Sequence, residues 1–190
     1  MQKLMGLVRR CVDDYNMIEE GDKIAVGVSG GKDSLVLLTL LAGLREYFNK
    51  PFELEAITID MGLGMDYTGV EQLCREISVP YTIVKTEIAP IIFDHRKEKN
   101  PCSLCAKMRR GALNQAIKER GFNKLALGHH YDDAVETFVM SRLFEGRISC
   151  LTSSRLVSLS TGQRFPITGR FRRRAKLSTV FSWMYSMGRI

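Results

Sequence analysis

Apolar positions follow two rhythms along the first 150 of 190 residues, and the rhythms alternate. Spacing of three and four predicts a helix near 3–18, where Leu4, Leu7, Val8, Cys11, Val12 and Tyr15 share a face. Lys23–Val28 reads as a buried strand, and Asp33 to about Tyr47 as a helix. Phe52–Ile59 alternates in part and predicts a second strand. Asp66 caps a helix running to about Ser78. Tyr81–Val84, after Pro80, is a third strand, and a polar, charged passage then runs to Asn100-Pro101. Helical spacing returns from about Ser103 to Arg120 through Leu104, Met108, Ala112, Leu113, Ala116 and Ile117, with Gly121 as a C′ residue. Lys124–Gly128 is the fourth strand. A helix starting at Asp132 or Asp133 carries Ala134, Val135, Phe138, Val139 and Leu143.

Strands that alternate with helices imply an α/β fold, a parallel sheet flanked by helices on both faces. Ligands of such sheets gather at the carboxyl ends of the strands. Three polar motifs fall at those ends: Ser29–Ser34, Asp60 and Gly128–Asp133. No internal repeat or linker interrupts residues 1–150.

Ser29-Gly30-Gly31-Lys32-Asp33-Ser34 lies between a buried strand and a helix start. A glycine turn there directs backbone N–H groups towards one point, and the helix N-terminus adds partial positive charge. Hydroxyls at Ser29 and Ser34 and the Lys32 ammonium are further donors. The turn is built to hold an oxyanion, and phosphate fits it best. The common nucleoside-triphosphatase loop is excluded twice, by Val26 at its first glycine position and by Asp33 after Lys32. The alternative is an ordinary strand-to-helix turn.

Asp60 closes the second strand, where a carboxylate binds a ribose or a metal-bound water, or simply solvates a turn. The following Met61-Gly62-Leu63-Gly64-Met65 is too apolar for a plain solvated turn and suits packing beside a nucleobase. In Gly128-His129-His130-Tyr131-Asp132-Asp133, adjacent carboxylates near a triphosphate suit Mg²⁺. The histidines suit a transition metal or phosphate, and Asp-Asp alone is also a helix cap. Cys102-Ser103-Leu104-Cys105 opens a helix, a setting that lowers thiolate pKa and suits soft metals, iron–sulfur clusters or redox exchange. Two structural thiols are the alternative. Lys107, Arg109 and Arg110 follow, as a solvated face or as contacts to RNA phosphate.

The 45% hydrophobic fraction is ordinary for a soluble domain with a real core. No apolar run approaches the roughly 18 residues of a bilayer span, and the N-terminus lacks a signal-peptide core. A cytoplasmic location and no membrane partner are therefore expected. Five cysteines, an odd count, argue against a secreted disulfide framework. The net charge of +7 is unevenly spread. Residues 151–190 hold eight Lys or Arg and no Asp or Glu, which leaves 20 basic and 21 acidic residues in 1–150, a net of −1. Such a tail is attracted to phosphate backbones.

The run SGGKDS resembles the pyrophosphate loop (PP-loop) of ATP pyrophosphatases. Together with IDMG and PCSLCAKMRRGALNQAIKERGFNKLALGHHYDDAVETF, it resembles the tRNA 2-thiocytidine synthetases, or tRNA cytidine 2-sulfurtransferases. The resemblance covers about residues 1–149. Lysidine synthetases share the first motif but not PCSLC. The resemblance implies an adenine nucleotide α-hydrolase-like fold, incomplete here at the C-terminus, with ATP, Mg²⁺ and a [4Fe-4S] cluster as cofactors. It implies that Ser29, Gly30, Gly31, Lys32, Asp33 and Ser34 hold ATP phosphates, with Asp60 and Gly128 also at the nucleotide. Lys32, Asp33 and Asp133 are the implied catalytic residues, Asp133 by the metal or phosphates. Cys102 and Cys105 are the implied cluster ligands. Cytosine O2 would attack the α-phosphate and expel pyrophosphate. A cluster-bound sulfur would then attack C2 and expel AMP. The implied partners are tRNA, a sulfur donor such as a cysteine desulfurase, and a second copy in a homodimer.

The chain leaves the family pattern after residue 150. Family members continue with core elements and a third ligating cysteine, whereas Cys150 is the last cysteine here. The expected division is a PP-loop domain at 1–150 and an unrecognised basic tail at 151–190. The tail is read as out-of-frame or otherwise non-native sequence, or else as a basic arm that binds tRNA, the first being favoured. Two other functions remain open: an adenylating enzyme with a different acceptor, and a nucleotide- or tRNA-binding module without turnover.

Overall fold

The computed structural model describes residues 2–96, 101–129, 131–144 and 183–186. In chain order the elements are α1 (Gln2–Asp14), β1 (Lys23–Gly27), α2 (Lys32–Tyr47), β2 (Glu53–Asp60), α3 (Thr68–Glu76) and β3 (Tyr81–Lys85). A short α4 (Ile88–Pro90) runs into a π-helical turn (Ile91–Arg96), followed by α5 (Pro101–Glu119), β4 (Lys124–Leu127), α6 (Tyr131–Phe144) and β5 (Trp183–Ser186). The four strands and five longer helices expected from periodicity are present, with ends shifted by a few residues. Asp66 stands one residue outside the α3 N-cap, which is Tyr67, and accepts the Thr68 N–H at 2.8 Å. The Thr68 hydroxyl and then its N–H hold the Asp66 carboxyl below its usual range.

Periodicity misses three elements. The Ile88–Pro90 turn and the π-helical segment lie in the passage read as irregular, because neither is long enough to show a period. β5 lies in the segment read as a tail. The rest of 151–190, together with Cys150 and His130, falls outside the described residues.

The sheet order is β3-β2-β1-β4-β5; the first four strands are parallel and β5 is antiparallel to β4. Strand alternation divides the core. Ile24 and Val26 of β1, with Val28 just after it, pack with α1, α2 and α3, through Val8, Val12, Leu38, Leu41, Val70 and Cys74. Ala25, Ile57 and Leu125 face the other way, onto Ile117 of α5. Right-handed crossovers explain this division. Two successive steps from β1 out to β3 put α2 and α3 on one face. The return from β3 to β4 carries α5 across the other.

α2 is apolar nearly all round because it is covered on several sides. Leu37, Leu38, Leu40, Leu41, Ala42 and Leu44 are all buried. Each such leucine contributes about 1.5–3 kcal/mol of burial, so the helix that begins at the glycine turn is held by its whole length.

The amino ends of β1 and β4 share a buried ion pair that periodicity cannot show. Lys124 Nζ lies 2.5 Å from Asp22 Oδ2 and donates to the Met17 carbonyl at 2.8 Å. Asp22 also accepts from the Glu19 N–H at 2.6 Å and from Asn123 Nδ2 at 2.8 Å. A buried charge pair needs these extra hydrogen bonds to offset its desolvation.

Candidate functional site

The sheet order reverses direction between β1 and β4, and in open α/β sheets the ligand crevice lies at the carboxyl ends of the strands at such a point. The turn Ser29–Gly31 follows β1 at this end. Gly30 has φ +80°, the left-handed region that glycine enters without strain, and lets the chain reverse directly into α2. Gly31 is the N-cap of α2, so the first-turn amides from Lys32 onward face out of the helix end. Ser29, Gly30, Gly31 and Lys32 are exposed, Asp33 is half-buried and Ser34 is buried.

Ser34 works inside the turn. Its hydroxyl donates to the Gly31 carbonyl at 2.8 Å and accepts the Ser29 N–H at 3.3 Å. Ser29 Oγ lies 3.4 Å from Ser34 Oγ and accepts the Gly31 N–H at 3.5 Å. The two hydroxyls brace the loop from within, and Lys32 is exposed at its outer surface.

Gly128 supplies the opposite wall. A Cβ at this position would fall 2.8 Å from Asp33 C and 2.8 Å from Ser34 N. The end of β4 thus passes in backbone contact with the first turn of α2, an approach only glycine permits. Asp133 is the third residue of α6, which starts just beyond this contact.

Asp60 ends β2. Its Oδ1 accepts the Gly62 N–H at 3.1 Å and the Tyr67 hydroxyl at 3.4 Å. Burial first, and the Asp60 carboxylate second, push the Tyr67 phenol above its usual range, with Arg109 pulling the other way. Tyr67 is therefore a donor at neutral pH. The Asp60 carbonyl is held by the N–H of Thr86 at 2.9 Å and by its hydroxyl at 2.7 Å.

Cys102 and Cys105 lie in the first turn of α5, exposed and half-buried respectively, both as free thiols. A spacing of three places them on one helix face. Cys105 Sγ donates to Met61 Sδ at 3.5 Å, which brings the pair to the carboxyl end of β2. Two thiols at a helix start suit a soft metal or cluster. Among the described residues no group of three or more His, Cys, Asp and Glu side chains converges on one point. Cys11 and Cys74 sit elsewhere, in the α1–α2–α3 core layer; burial first, then Asp14, pushes the Cys11 thiol up to about 11. A surface hollow of about 350 Å³, lined by Met5, Gly6, Arg9 and Tyr47 among others, lies on α1, apart from these residues.

Several residues of the site escape a reading by motif. Thr58, buried in β2, donates to the Val28 carbonyl at 2.8 Å and accepts from Tyr81 at 3.0 Å, fixing the strand where it enters the glycine turn. A threonine at an apolar position of a strand was its only signal. Met61 was marked by its apolar turn, as packing for a nucleobase, and not as a partner of Cys105; Tyr67 and Thr86 gave no signal.

The chain is 41% identical over 149 residues to a tRNA-cytidine(32) 2-sulfurtransferase of Legionella pneumophila, a match covering 77% of this chain and 53% of that one. With the enzyme of the same name from Geotalea uraniireducens it shares 40% over 156 residues, covering 81% and 62%. It spans about half to three-fifths of the length of these relatives. Among solved structures it superposes on the U34-tRNA thiolase NcsA from Methanococcus maripaludis, with its [4Fe-4S] cluster, at a TM-score of 0.67 and 29% identity, over 87% of this chain and 54% of that chain. Residues 5–164 match the model of the PP-loop domain, and with its glycine turn at the mouth of the first strand the chain belongs to the PP-loop family.

Proposed function

We propose that this chain is the catalytic domain of an ATP-dependent tRNA thiolase that converts an anticodon-loop cytidine to 2-thiocytidine. The observation that carries the reading is the meeting of two chemistries at one end of the sheet. The phosphate-binding turn leaves β1, while Cys105 touches Met61 at the adjacent end of β2. A PP-loop with no thiol pair would fit other adenylating enzymes as well. The names of the relatives support the same assignment.

The glycine turn receives the triphosphate at the start of α2, on the first-turn amides from Lys32 onward, with the Lys32 ammonium adding positive charge. Cytidine O2 attacks the α-phosphorus, the bond to the β-phosphate oxygen breaks, and pyrophosphate leaves. Charge grows on that leaving group in the transition state, where preorganised amides and an ammonium stabilise it best. Adenylation turns a poorly departing carbonyl oxygen into part of AMP. Asp60, with Oδ1 held by Gly62 and Tyr67, contributes its carboxylate to the nucleotide. Mg²⁺ would be held by Asp133 and phosphate oxygens and would neutralise charge on the triphosphate. A [4Fe-4S] cluster would take Cys102 and Cys105 as two ligands and, when bound, would supply the sulfur chemistry. tRNA, a sulfur-donating enzyme, a cytoplasmic setting and a homodimer belong to this reading.

The test is anaerobic reconstitution with iron and sulfide, followed by ATP, Mg²⁺ and tRNA. Pyrophosphate release that requires tRNA, with 2-thiocytidine in the digested nucleosides, is expected. ATP binding with no tRNA-dependent pyrophosphate would overturn the thiolase reading in favour of a binding module without turnover.

A further inference from the structure

Met61 follows the carboxyl end of β2 and reaches the start of α5. Its main chain is pinned on both sides. The Met61 carbonyl accepts the Ala89 N–H at 2.9 Å, and the next residue, Gly62, places its N–H on Asp60 Oδ1. Gly62 has φ +80°, and a Cβ there would meet the Thr86 carbonyl at 3.1 Å. The loop beyond is open, with Leu63 and Met65 53% and 60% exposed, whereas Met61 is half-buried. Its side chain therefore leaves a fixed backbone and turns inward, to the first turn of α5.

The group it meets there is the Cys105 thiol. The S–H donates to Met61 Sδ at 3.5 Å. A thioether sulfur is a soft, polarisable acceptor on a flexible stem and suits such a contact. Cys102, on the same helix turn, is exposed. The two thiols of one pair thus have different surroundings, and the difference comes from a residue adjacent to Asp60.

We infer that Met61 is a positioning residue for Cys105: its thioether, as a hydrogen-bond acceptor, holds the thiol at the carboxyl end of β2. The position ties the nucleotide end of that strand to the cysteine pair. Its use in thiolation rests on the function proposed above, but the contact itself does not.

Alkylation of the whole reduced chain of 190 residues tests this without iron, ATP or tRNA. Iodoacetamide is applied anaerobically at one fixed pH, and mass spectrometry gives the rate at each cysteine, with Cys102 as the internal reference. In Met61→Ala the Cys105:Cys102 rate ratio should rise roughly fivefold, as expected for losing one modest hydrogen bond and its cover. Met61→Leu keeps the bulk and removes only the acceptor, so its ratio should rise about twofold. Circular dichroism checks that each variant is folded, and Met61→Leu decides the matter if the alanine variant is not. An unchanged ratio in folded Met61→Leu overturns the proposal. A raised ratio in a protein that never retains iron after reconstitution supports Met61 as a positioning residue while removing the cluster reading.

Discussion

At the scale of single residues, the glycine turn separates hydroxyls that hold the loop from a lysine that faces outward. Ser34 and Thr58 are buried and spend their hydroxyls on neighbouring backbone, whereas Lys32 is exposed at the α2 N-terminus. Lys32→Ala should therefore leave the urea midpoint unchanged and weaken ATP binding about tenfold or more, the loss of a charged contact to phosphate. Equal affinity by calorimetry would remove Lys32 from the site. Gly128→Ala should do the reverse in its first effect. The added methyl meets Asp33 and Ser34 backbone, which cannot swing aside as a flexible side chain would. A cost of about 1–3 kcal/mol is expected, with weaker ATP binding because the α2 start must shift; a wild-type urea midpoint would contradict the close approach. Cys11 gives a pH dependence. Its thiol titrates near 11 in the fold against 9.0 ordinarily, so the unfolded chain ionises first as pH rises. Stability from this group is complete below about pH 9 and is lost as pH climbs towards 11. The fall in urea midpoint over that window should be shallower in Cys11→Ala; an identical fall would mean that the thiol is not perturbed.

Elements set the geometry that single residues exploit. The N-terminus of α2 is fixed because the helix buries leucines on several sides, so the glycine turn cannot drift from the strand it leaves. α5 has a different task. It crosses the opposite face of the sheet and anchors Ile117 in the core, and its first turn delivers two thiols to the β2 end. The strands are tied at their other ends by Asp22 and Lys124. Removing one partner of a buried pair leaves an uncompensated charge, at a cost of about 3–5 kcal/mol. Lys124→Ala should thus lower the urea midpoint far more than Lys23→Ala, whose partner Glu53 is 67% exposed at the surface. Equal losses from the two substitutions would show that burial does not set the strength of these pairs.

At the scale of the whole molecule, the polar bracing and the candidate site lie at opposite ends of one sheet. Polar bracing by Asp22, Asn123 and Lys124 lies at the amino ends of the strands. The glycine turn, Asp60, Gly128 and the cysteine pair lie at the carboxyl ends. Ligand binding at the latter should therefore stabilise the entire cooperative unit rather than a local loop. ATP at about a hundred times its dissociation constant should add about 2.7 kcal/mol, seen as a raised melting temperature in wild type and a much smaller rise in Lys32→Ala. No rise in wild type would mean that these strand ends do not take the nucleotide. Among the described residues no helix is long and apolar enough to cross a membrane.

Most of the elements, and the glycine turn with them, were determined by the sequence itself. Both are local matters: a repeat of two or three to four residues fixes a buried face, and a serine–glycine run after an apolar strand fixes a turn. The same locality allowed Asp60, Gly128 and the cysteine pair to be singled out, since each opens or closes a periodic segment. What the sequence could not contain was distance across elements. Gly128 passing against Asp33, Thr58 holding Val28, the Asp22–Lys124 pair and the thiol of Cys105 on Met61 all join residues remote along the chain. Only the parallel order β3-β2-β1-β4, with right-handed crossovers that send α5 to the far face, brings them together.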